Sequence, residues 1–500
     1  MVSKSVEQFV VSPQQVQLDL KMVGADIWGT KAHVLMLQRT KIVSKKNAVA
    51  ILQALAEIQR LHEAGDFSID PQRGAQLTLE KEIVARAGEE AGLSAHTARS
   101  RNDQVMVTEL LFLREEVLHL ASKLEKCIKD LLVLSRDHVS TVMPGYTHMQ
   151  PGKPTTFAHW SLLYVASLRR VLAAFYEKLE RYDACPLGSV ESFGTSWPID
   201  RSFTADLLGF SAVWSLPLDA ISHRGFFQFE LLQALALGGV TLSRVASDLL
   251  QYTTFEYGLV DLGDNVAQRL HPITGSSVMA QKRNPDALEL MRAAGNQING
   301  SCVAAFELLS GLPAGYNRDS RELKEYVEVG IRKFTSGIEV LSQVVTTLQV
   351  KSDRMESLVR QNYSLTTDLA DFVAQKSGVP YRKVYKIVGQ AVDELIRSGR
   401  SLEELEAKRL TEIATELGSK VELTNKDLQE VLVPSEALAR RAHIGGTSSE
   451  TTMQIIEGEE VFLQGYRERR LQWEKRVSDA QVRTQKAISV LLSAEEEAAA

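Results

Sequence analysis

The sequence predicts an all-α protein organised around a bundle of unusually long helices. Apolar residues recur at three- and four-residue steps over long stretches instead of alternating as they do in strands. The 13 prolines and 31 glycines cluster, so these stretches run without interruption. Several stretches are apolar on more than one face and must be buried on several sides, either in a large bundle or at a subunit interface.

Five segments carry the long helical pattern. In the first, acidic residues come early and basic residues come late, as the helix dipole favours. The second follows Pro154, a residue suited to a first helical turn. Helices of about 25–35 residues are about 40–50 Å long at 1.5 Å per residue. The predicted ranges are 105–135, 155–182, 226–255, 285–310 and 321–350.

The segments on either side of these helices have a shorter pattern. Residues before 105 predict shorter helices, and residues after 351 predict short helices separated by turns. The sequence therefore predicts three domains: an N-terminal helical domain over 1–104, a central long-helix bundle over 105–351 and a C-terminal helical domain over 352–500.

The composition is that of an ordinary globular chain. It has 500 residues, a net charge of -6, 44% hydrophobic and 24% charged residues, which excludes general disorder and argues against nucleic acid as the main partner. Cys127, Cys185 and Cys302 lack metal-binding or disulfide spacing and favour reduced thiols. Glu230 interrupts the most apolar stretch, so no membrane span is predicted. We expect a cytoplasmic protein that binds neither nucleic acid nor membrane.

Polar, glycine-rich blocks beside the long helices contain the candidate chemistry. The first block, residues 96–104, reads HTARSRNDQ and precedes an apolar helix. Its hydroxyl and carboxylate oxygens can cap that helix, and its free backbone N–H groups and guanidinium suit a carboxylate ligand. An elaborate cap with surface arginines is the alternative.

The second block, residues 144–160, presents a histidine from a constrained turn. Thr147 and His148 lie between Pro144-Gly145 and Pro151-Gly152. A loop histidine that titrates near pH 7 is a candidate general acid or base. Most histidines in such turns are only solvated or hydrogen-bonded, so both interpretations remain open here.

The third block, residues 274–291, combines hydroxyls, cations and an amide on one flexible segment. Ser276 follows a glycine, Lys282 and Asn284 come shortly after, and the next helix carries Glu289. A hydroxyl and a lysine on a mobile loop could take up a proton and stabilise the anion that results. An ordinary flexible linker is the alternative.

These three blocks, in this order and separated by long helices, resemble the fumarase/aspartase superfamily, and within it the argininosuccinate lyase branch. SRNDQ and the Gln281-Lys282 pair are typical of that branch. The resemblance implies a homotetramer in which the central helices form a twenty-helix core and three subunits share each active site. Further collinear matches lie at 26–33, 185–201, 218–224, 311–324, 365–372 and 439–450.

The resemblance also implies an anti β-elimination that releases fumarate from a small aminosuccinate. Ser276 would remove the proton from carbon, Lys282 and Asn284 would stabilise the aci-carboxylate, and His148 backed by Glu289 would act on the leaving-nitrogen side. No metal or organic cofactor is implied, because the substrate's own carboxylate is the electron sink. The candidate substrate-binding residues are Ser100, Arg101, Asn102, Thr147, Asn284, Tyr316, Arg321 and Lys324.

Two departures from the family pattern affect the leaving amine. An acidic stretch expected near residues 73–76 reads Arg-Gly-Ala-Gln, and Arg321 replaces a usual glutamine. A cation there would repel an arginyl group and favour an acidic one. Two alternatives to argininosuccinate cleavage therefore remain: a sister lyase acting on another N-substituted aspartate, such as ethylenediamine disuccinate, and a non-catalytic crystallin-like structural protein.

Overall fold

A computed structural model of the chain describes residues 3–499 and confirms the all-α prediction. The N-terminal part consists of helices that pack on one another and on the start of the central bundle. Ser12 and Ser44 cap the two longest of them by accepting hydrogen bonds from backbone N–H groups. These helices are α1 (Lys4–Val10), α2 (Pro13–Arg39), α3 (Lys45–Glu63), α4 (Gly74–Ala87) and α5 (Glu89–Ser94).

The five predicted long helices are present and form the bundle, within a few residues of the expected ends. Their continuous apolar faces supply most of the main hydrophobic core. The central helices are α6 (Arg101–Asp137), α7 (Phe157–Arg181), α8 (Arg201–Leu207), α9 (Pro217–Ser222), α10 (Phe226–Tyr252), α11 (Asp286–Leu309) and α12 (Leu323–Thr347), of which α8 and α9 are short connecting helices.

Helix α10 packs on α7, α11 and α12, and most closely on α11. A Cβ atom built on Gly239 would lie 2.9 Å from the carbonyl oxygen of Gly295, and one built on Gly295 would overlap the Gly239 carbonyl. Only glycine allows this backbone approach. Within the described chain α10 is the one helix long and apolar enough to cross a membrane, but 56% of its most apolar window is buried in the bundle, as in a core helix.

One end of the bundle, which we call the Arg101 end, contains the starts of α6, α10 and α12 and the end of α11. Gln228 near the start of α10 donates a hydrogen bond of 2.9 Å to Glu109 near the start of α6. Gly225, just before α10, lies against Leu309 of α11 and Leu323 of α12.

The opposite end, which we call the Phe157 end, contains the starts of α7 and α11. Trp160 near the start of α7 donates a hydrogen bond of 2.8 Å to Asp248 near the end of α10. Since α10 has 27 residues, the two ends of the bundle are about 40 Å apart.

The C-terminal part contains a second hydrophobic core, formed mainly by residues 359–438. Its final helix differs from the expected short helices: it has 51 residues and packs back along α6 and α7. No proline interrupts this segment, and isolated glycines are tolerated within a helix. The domain boundaries near 105 and 352 stay predictions. The helices are α13 (Ser352–Gln361), α14 (Thr366–Ser377), α15 (Tyr381–Arg397), α16 (Ala407–Glu416), α17 (Asn425–Val431), α18 (Pro434–Ala439) and α19 (Ser449–Ala499).

Strands are few and short, and they serve to connect helix ends. The antiparallel hairpin of β1 (Val142–Thr147) and β2 (Gln150–Thr156) joins α6 to α7. The other pairs are β3 (Ala184–Cys185) with β4 (Ala212–Val213), which are parallel, and β5 (Val260–Asp261) with β6 (Gln349–Val350), which are antiparallel. Short 3₁₀ helices cover Arg318–Glu322 and Leu402–Glu404.

Candidate active site

One pocket at the Arg101 end brings together six of the predicted site residues. Its volume is about 360 Å³, and its walls come from α2, the start of α6, the 3₁₀ helix and the start of α12. The predicted residues that line it are Ser100, Arg101, Asn102, Tyr316, Arg321 and Lys324.

The first block ends in a helix start that opens onto this pocket. Ser100 Oγ accepts a hydrogen bond of 3.2 Å from the Asn102 backbone N–H, and Asp103 Oδ1 accepts one of 3.0 Å from the Ser100 N–H, which completes a capping box. The positive end of a 37-residue helix therefore lies at the pocket wall. Such a helix terminus favours a carboxylate ligand.

Asp103 also fixes a second segment beside the pocket. Its Oδ2 accepts hydrogen bonds of 2.9 Å from both the Gly188 and the Val190 N–H groups. Burial raises the pKa of Asp103 to about 6, while the backbone N–H donors and Arg99 oppose the rise. The matched segment 185–201 is thereby held against the start of α6.

Asp19 of α2 is a pocket residue that the sequence analysis missed. It accepts hydrogen bonds from the Lys324 ammonium and, at 3.4 Å, from Arg321 Nη2. The three side chains are only 8%, 9% and 13% exposed, respectively. One carboxylate is thus shared by two cations, so that the group of three keeps a net positive charge. The signal in the sequence is weak, because Asp19 lies in a stretch, residues 16–23, where polar and apolar residues alternate.

Arg224 is a second pocket residue that the sequence analysis did not assign. Its guanidinium lies 4.6 Å from the centre of the Tyr316 ring, and its side chain is buried. Its Nε has no hydrogen-bond partner in the described part of the chain. Gly315 donates a hydrogen bond of 2.8 Å to Ser222 Oγ, which ties the Tyr316 loop to α9. Arg224 ends the matched segment 218–224, which was the available signal.

The segment that departs from the family pattern also lines this pocket. Arg73 and Gln76 stand at its wall, and Gln76 Nε2 donates a hydrogen bond of 3.4 Å to Asp26. Gln104 donates another of 2.8 Å to the same carboxyl. Burial raises the pKa of Asp26 above its usual range, and the hydrogen bonds and Arg99 oppose that shift.

The pocket as a whole is cationic. It is lined by three carboxyl groups, Asp19, Asp26 and Glu109, and by twice as many basic side chains. A ligand with several carboxylates is therefore the best electrostatic match. The basic residues are Arg73, Arg101, Arg224, Arg318, Arg321 and Lys324.

Thr147 and His148 lie at the Phe157 end, outside this pocket. Thr147 pairs with Gln150, so that His148 and Met149 form the two-residue turn of the β1–β2 hairpin. Their φ angles are 55° and 62°, as type I′ hairpin turns require, and this conformation costs a non-glycine residue about 1–2 kcal/mol. The tip is exposed. The histidine is therefore held out from the bundle on a strained turn.

Ser276 lies in the loop between β5 and α11, also at the Phe157 end. Its Oγ accepts hydrogen bonds from the backbone N–H groups of Val278 and Met279, at 3.3 Å and 3.0 Å. Donors in this position stabilise negative charge on the oxygen when its proton is lost.

The same loop is anchored at its C-terminal side. Arg283 donates hydrogen bonds of 2.8 Å to the Ala267 carbonyl and 3.1 Å to Asp261. Asn284 donates one of 3.4 Å to the Gly275 carbonyl, beside Ser276. Lys282 remains exposed and free to reach a ligand.

Glu289 lies in the first turn of α11 and is exposed. Within residues 3–499 of one chain, no hydrogen bond or ion pair joins it to His148, and that pairing stays a prediction. The predicted site residues therefore form two sets, six in the pocket at the Arg101 end and six at the Phe157 end. Among the residues described, no cluster of three or more His, Cys, Asp or Glu side chains could hold a metal ion.

Comparison with known proteins supplies the context for these two sets. A lyase family profile matches residues 4–300, and an argininosuccinate lyase C-terminal profile matches residues 363–439. Argininosuccinate lyase of Methanocaldococcus jannaschii is 32% identical over 497 residues, 99% of this chain and 97% of that protein. The enzyme of the same name from Staphylococcus haemolyticus is 33% identical over 459 residues, 92% and 96% of the two chains.

A solved structure shares the fold. EDDS lyase in complex with formate superposes with a TM-score of 0.87 over 99% of this chain and 97% of that chain. Its sequence identity of 24% supports a likeness of fold alone.

Proposed function

This chain belongs to the argininosuccinate lyase family, and from that membership we propose that it cleaves argininosuccinate into arginine and fumarate, the last step of arginine biosynthesis. It is a carbon–nitrogen lyase that releases fumarate. The structural observation that carries the proposal is the cationic pocket at the start of α6, where Ser100 and Asn102 lie among six basic side chains.

The charges of the substrate match this pocket. Argininosuccinate carries two carboxylates on its succinyl half and one on its arginyl half. Basic side chains and a helix start attract these groups. Arg321 is compensated by Asp19, which lessens the repulsion that the sequence alone suggested for an arginyl group.

We assign the chemistry to the residues at the Phe157 end. Ser276 acts as its alkoxide, which the Val278 and Met279 N–H groups and Lys282 stabilise; it takes the proton from carbon and becomes a neutral hydroxyl, while the electron pair of the C–H bond passes to the substrate's carboxylate. Lys282 and Asn284 also stabilise the extra charge on the substrate's carboxylate. His148, supported by Glu289 of another chain, acts on the nitrogen side.

The distance between the two sets of residues supports active sites that are shared between subunits. About 40 Å separates the ends of the bundle, so one chain cannot bring both sets to one substrate. Exposed apolar side chains on α11 support a neighbouring chain there, since Leu290, Val303 and Phe306 are 71%, 62% and 54% exposed. We infer a homotetramer with a twenty-helix core and active sites built from three subunits.

A cytoplasmic location accompanies this proposal. All three cysteines are free, and Cys127 and Cys185 are buried. Free thiols are typical of reducing compartments.

A substrate panel tests the activity. Purified protein is mixed with argininosuccinate or with ethylenediamine disuccinate, and fumarate is followed by its ultraviolet absorbance. We expect fumarate from argininosuccinate at a rate that rises with enzyme concentration. Release only from the second compound would replace the proposal with the sister lyase, and release from neither would favour the crystallin-like alternative.

A further inference from the structure

Two matched segments that the reaction leaves unused, 365–372 and 439–450, meet at a buried ion pair. Arg441 Nη2 donates hydrogen bonds of 2.7 Å to both carboxylate oxygens of Asp368, and Nε adds one of 3.2 Å. The two side chains are only 17% and 7% exposed. A bidentate pair in such surroundings has a well-defined geometry.

The same guanidinium also holds the hairpin that carries His148. Arg441 Nη1 donates a hydrogen bond of 2.6 Å to the carbonyl of Pro154 in β2. Pro154 pairs with Pro144 of β1, and proline has no N–H to donate. Arg441 therefore supplies a donor at a position where the hairpin's own partner has none.

The base of the hairpin is attached to the same part of the chain. Val142 of β1 belongs to the second hydrophobic core, with Val359 and Leu365. At the other end of the hairpin, His148 and Met149 keep their strained backbone. Strained turns persist when the surrounding structure over-determines them, and these contacts with the C-terminal part provide that constraint.

We propose that Arg441 and Asp368 are positioning residues, which set the direction in which the hairpin presents the His148 imidazole to the substrate. The proposal rests on the role of His148 in the proposed function. Lysine could not replace Arg441, because one ammonium lacks the planar fork that reaches a carboxylate and a carbonyl together.

Steady-state kinetics of Arg441→Lys and Asp368→Asn test this inference. We expect kcat to fall about 10-fold or more, since misplacement of a reacting group by about 1 Å costs up to about 10²-fold, while KM for argininosuccinate changes by less than about 2-fold. The limb of the pH–rate profile that belongs to His148 should shift. Arg360→Lys is the matched control, because the Arg360 guanidinium donates its hydrogen bonds to Glu356 and Glu403 and not to the carbonyl of Pro154.

A double-mutant cycle with His148→Asn separates positioning from general stability. His148→Asn alone should lower kcat by about 10²–10⁴-fold, and adding Arg441→Lys should then cost little more. If the falls in kcat multiply in the double variant, or if Arg360→Lys loses as much kcat as Arg441→Lys, the positioning role is wrong. The proposed function would remain intact in either case. A near-normal rate in His148→Asn alone would overturn both the role assigned to His148 and the positioning role that rests on it. If Arg441→Lys does not fold, Asp368→Asn, which keeps the Pro154 contact available, gives the same test.

Discussion

Ser276, the proposed base, shows how much the chemistry of a side chain depends on its local backbone. A serine hydroxyl is a very weak acid in water, yet its oxygen here already accepts two backbone N–H groups. These donors and the nearby Lys282 lower the cost of negative charge on that oxygen.

Ser276→Ala removes the proposed base while leaving the loop anchor at Arg283 in place. We expect turnover to be lost and the assembly, measured by size-exclusion chromatography, to be unchanged. Ser277→Ala, one residue along the same loop, is the control and should retain most activity. Substantial activity in Ser276→Ala would remove the assignment.

His33 predicts a pH dependence of stability near the candidate site. Burial, aided by the Arg99 charge, lowers its pKa from 6.5 to about 3, and its Nε2 bonds the Thr97 carbonyl at 2.9 Å. Below pH 6.5 the unfolded chain binds a proton that the folded chain does not. The contribution of the neutral His33 to the free energy of unfolding is therefore fully present above pH 6.5. It is lost as pH falls below 6.5 towards the folded-state pKa of about 3, by up to about 1.4 kcal/mol per pH unit.

His33→Gln should flatten this dependence, because a glutamine can still donate to Thr97 but does not titrate. Urea unfolding at fixed protein concentration, between about pH 5 and pH 7, measures the difference. Burial also lowers the pKa of His96, to about 4. His96 is present in both proteins, so its contribution to the pH dependence cancels in the comparison. If the free energy of unfolding changes with pH by the same amount in the native protein and in His33→Gln, the prediction is wrong.

Between helices, the contact of α10 with α11 is the most constrained crossing in the bundle. Gly295→Ala places a methyl group on the Gly239 carbonyl and should lower the free energy of unfolding by about 1–3 kcal/mol. Gly389→Ala in α15 is the control: nothing lies within 4 Å of its added Cβ, so stability should rise by about 0.5–1 kcal/mol. Equal shifts in the denaturation midpoints would contradict the close crossing.

The sequence predicted the long helices well because each carries a continuous apolar pattern between clusters of proline and glycine. It did not predict the β1–β2 hairpin, since prolines such as Pro144 and Pro154 disfavour strands, although the turn at His148 was expected. Helix α19 was missed because its apolar pattern is weak and two glycines lie within it. Asp19 was missed because its partners, Arg321 and Lys324, lie some 300 positions away.

At the scale of the proposed assembly, the two sets of site residues, at the Arg101 end and at the Phe157 end, predict that two inactive variants can complement each other. Asn102→Ala damages the Arg101 end, and Ser276→Ala damages the Phe157 end. If each site takes these residues from different chains, randomly mixed assemblies should regain up to about a quarter of the native sites. Fumarate release after the two proteins are unfolded and refolded together measures the recovery.

A matched pair of variants controls this experiment. Ser276→Ala and Lys282→Ala lie on the same loop, so mixing them should restore nothing. Absence of recovery with Asn102→Ala, despite confirmed mixed assemblies, would contradict subunit sharing.

The uncovered apolar side chains of α11 also bear on how the protein is made. In a chain that has not yet entered the proposed tetramer, Leu290, Val303 and Phe306 are exposed to water and can aggregate with other unassembled chains. Productive assembly and aggregation both become faster as the protein concentration rises. Renaturation from urea should therefore give its best yield at an intermediate dilution, and a chaperone that shields apolar surface should widen that range.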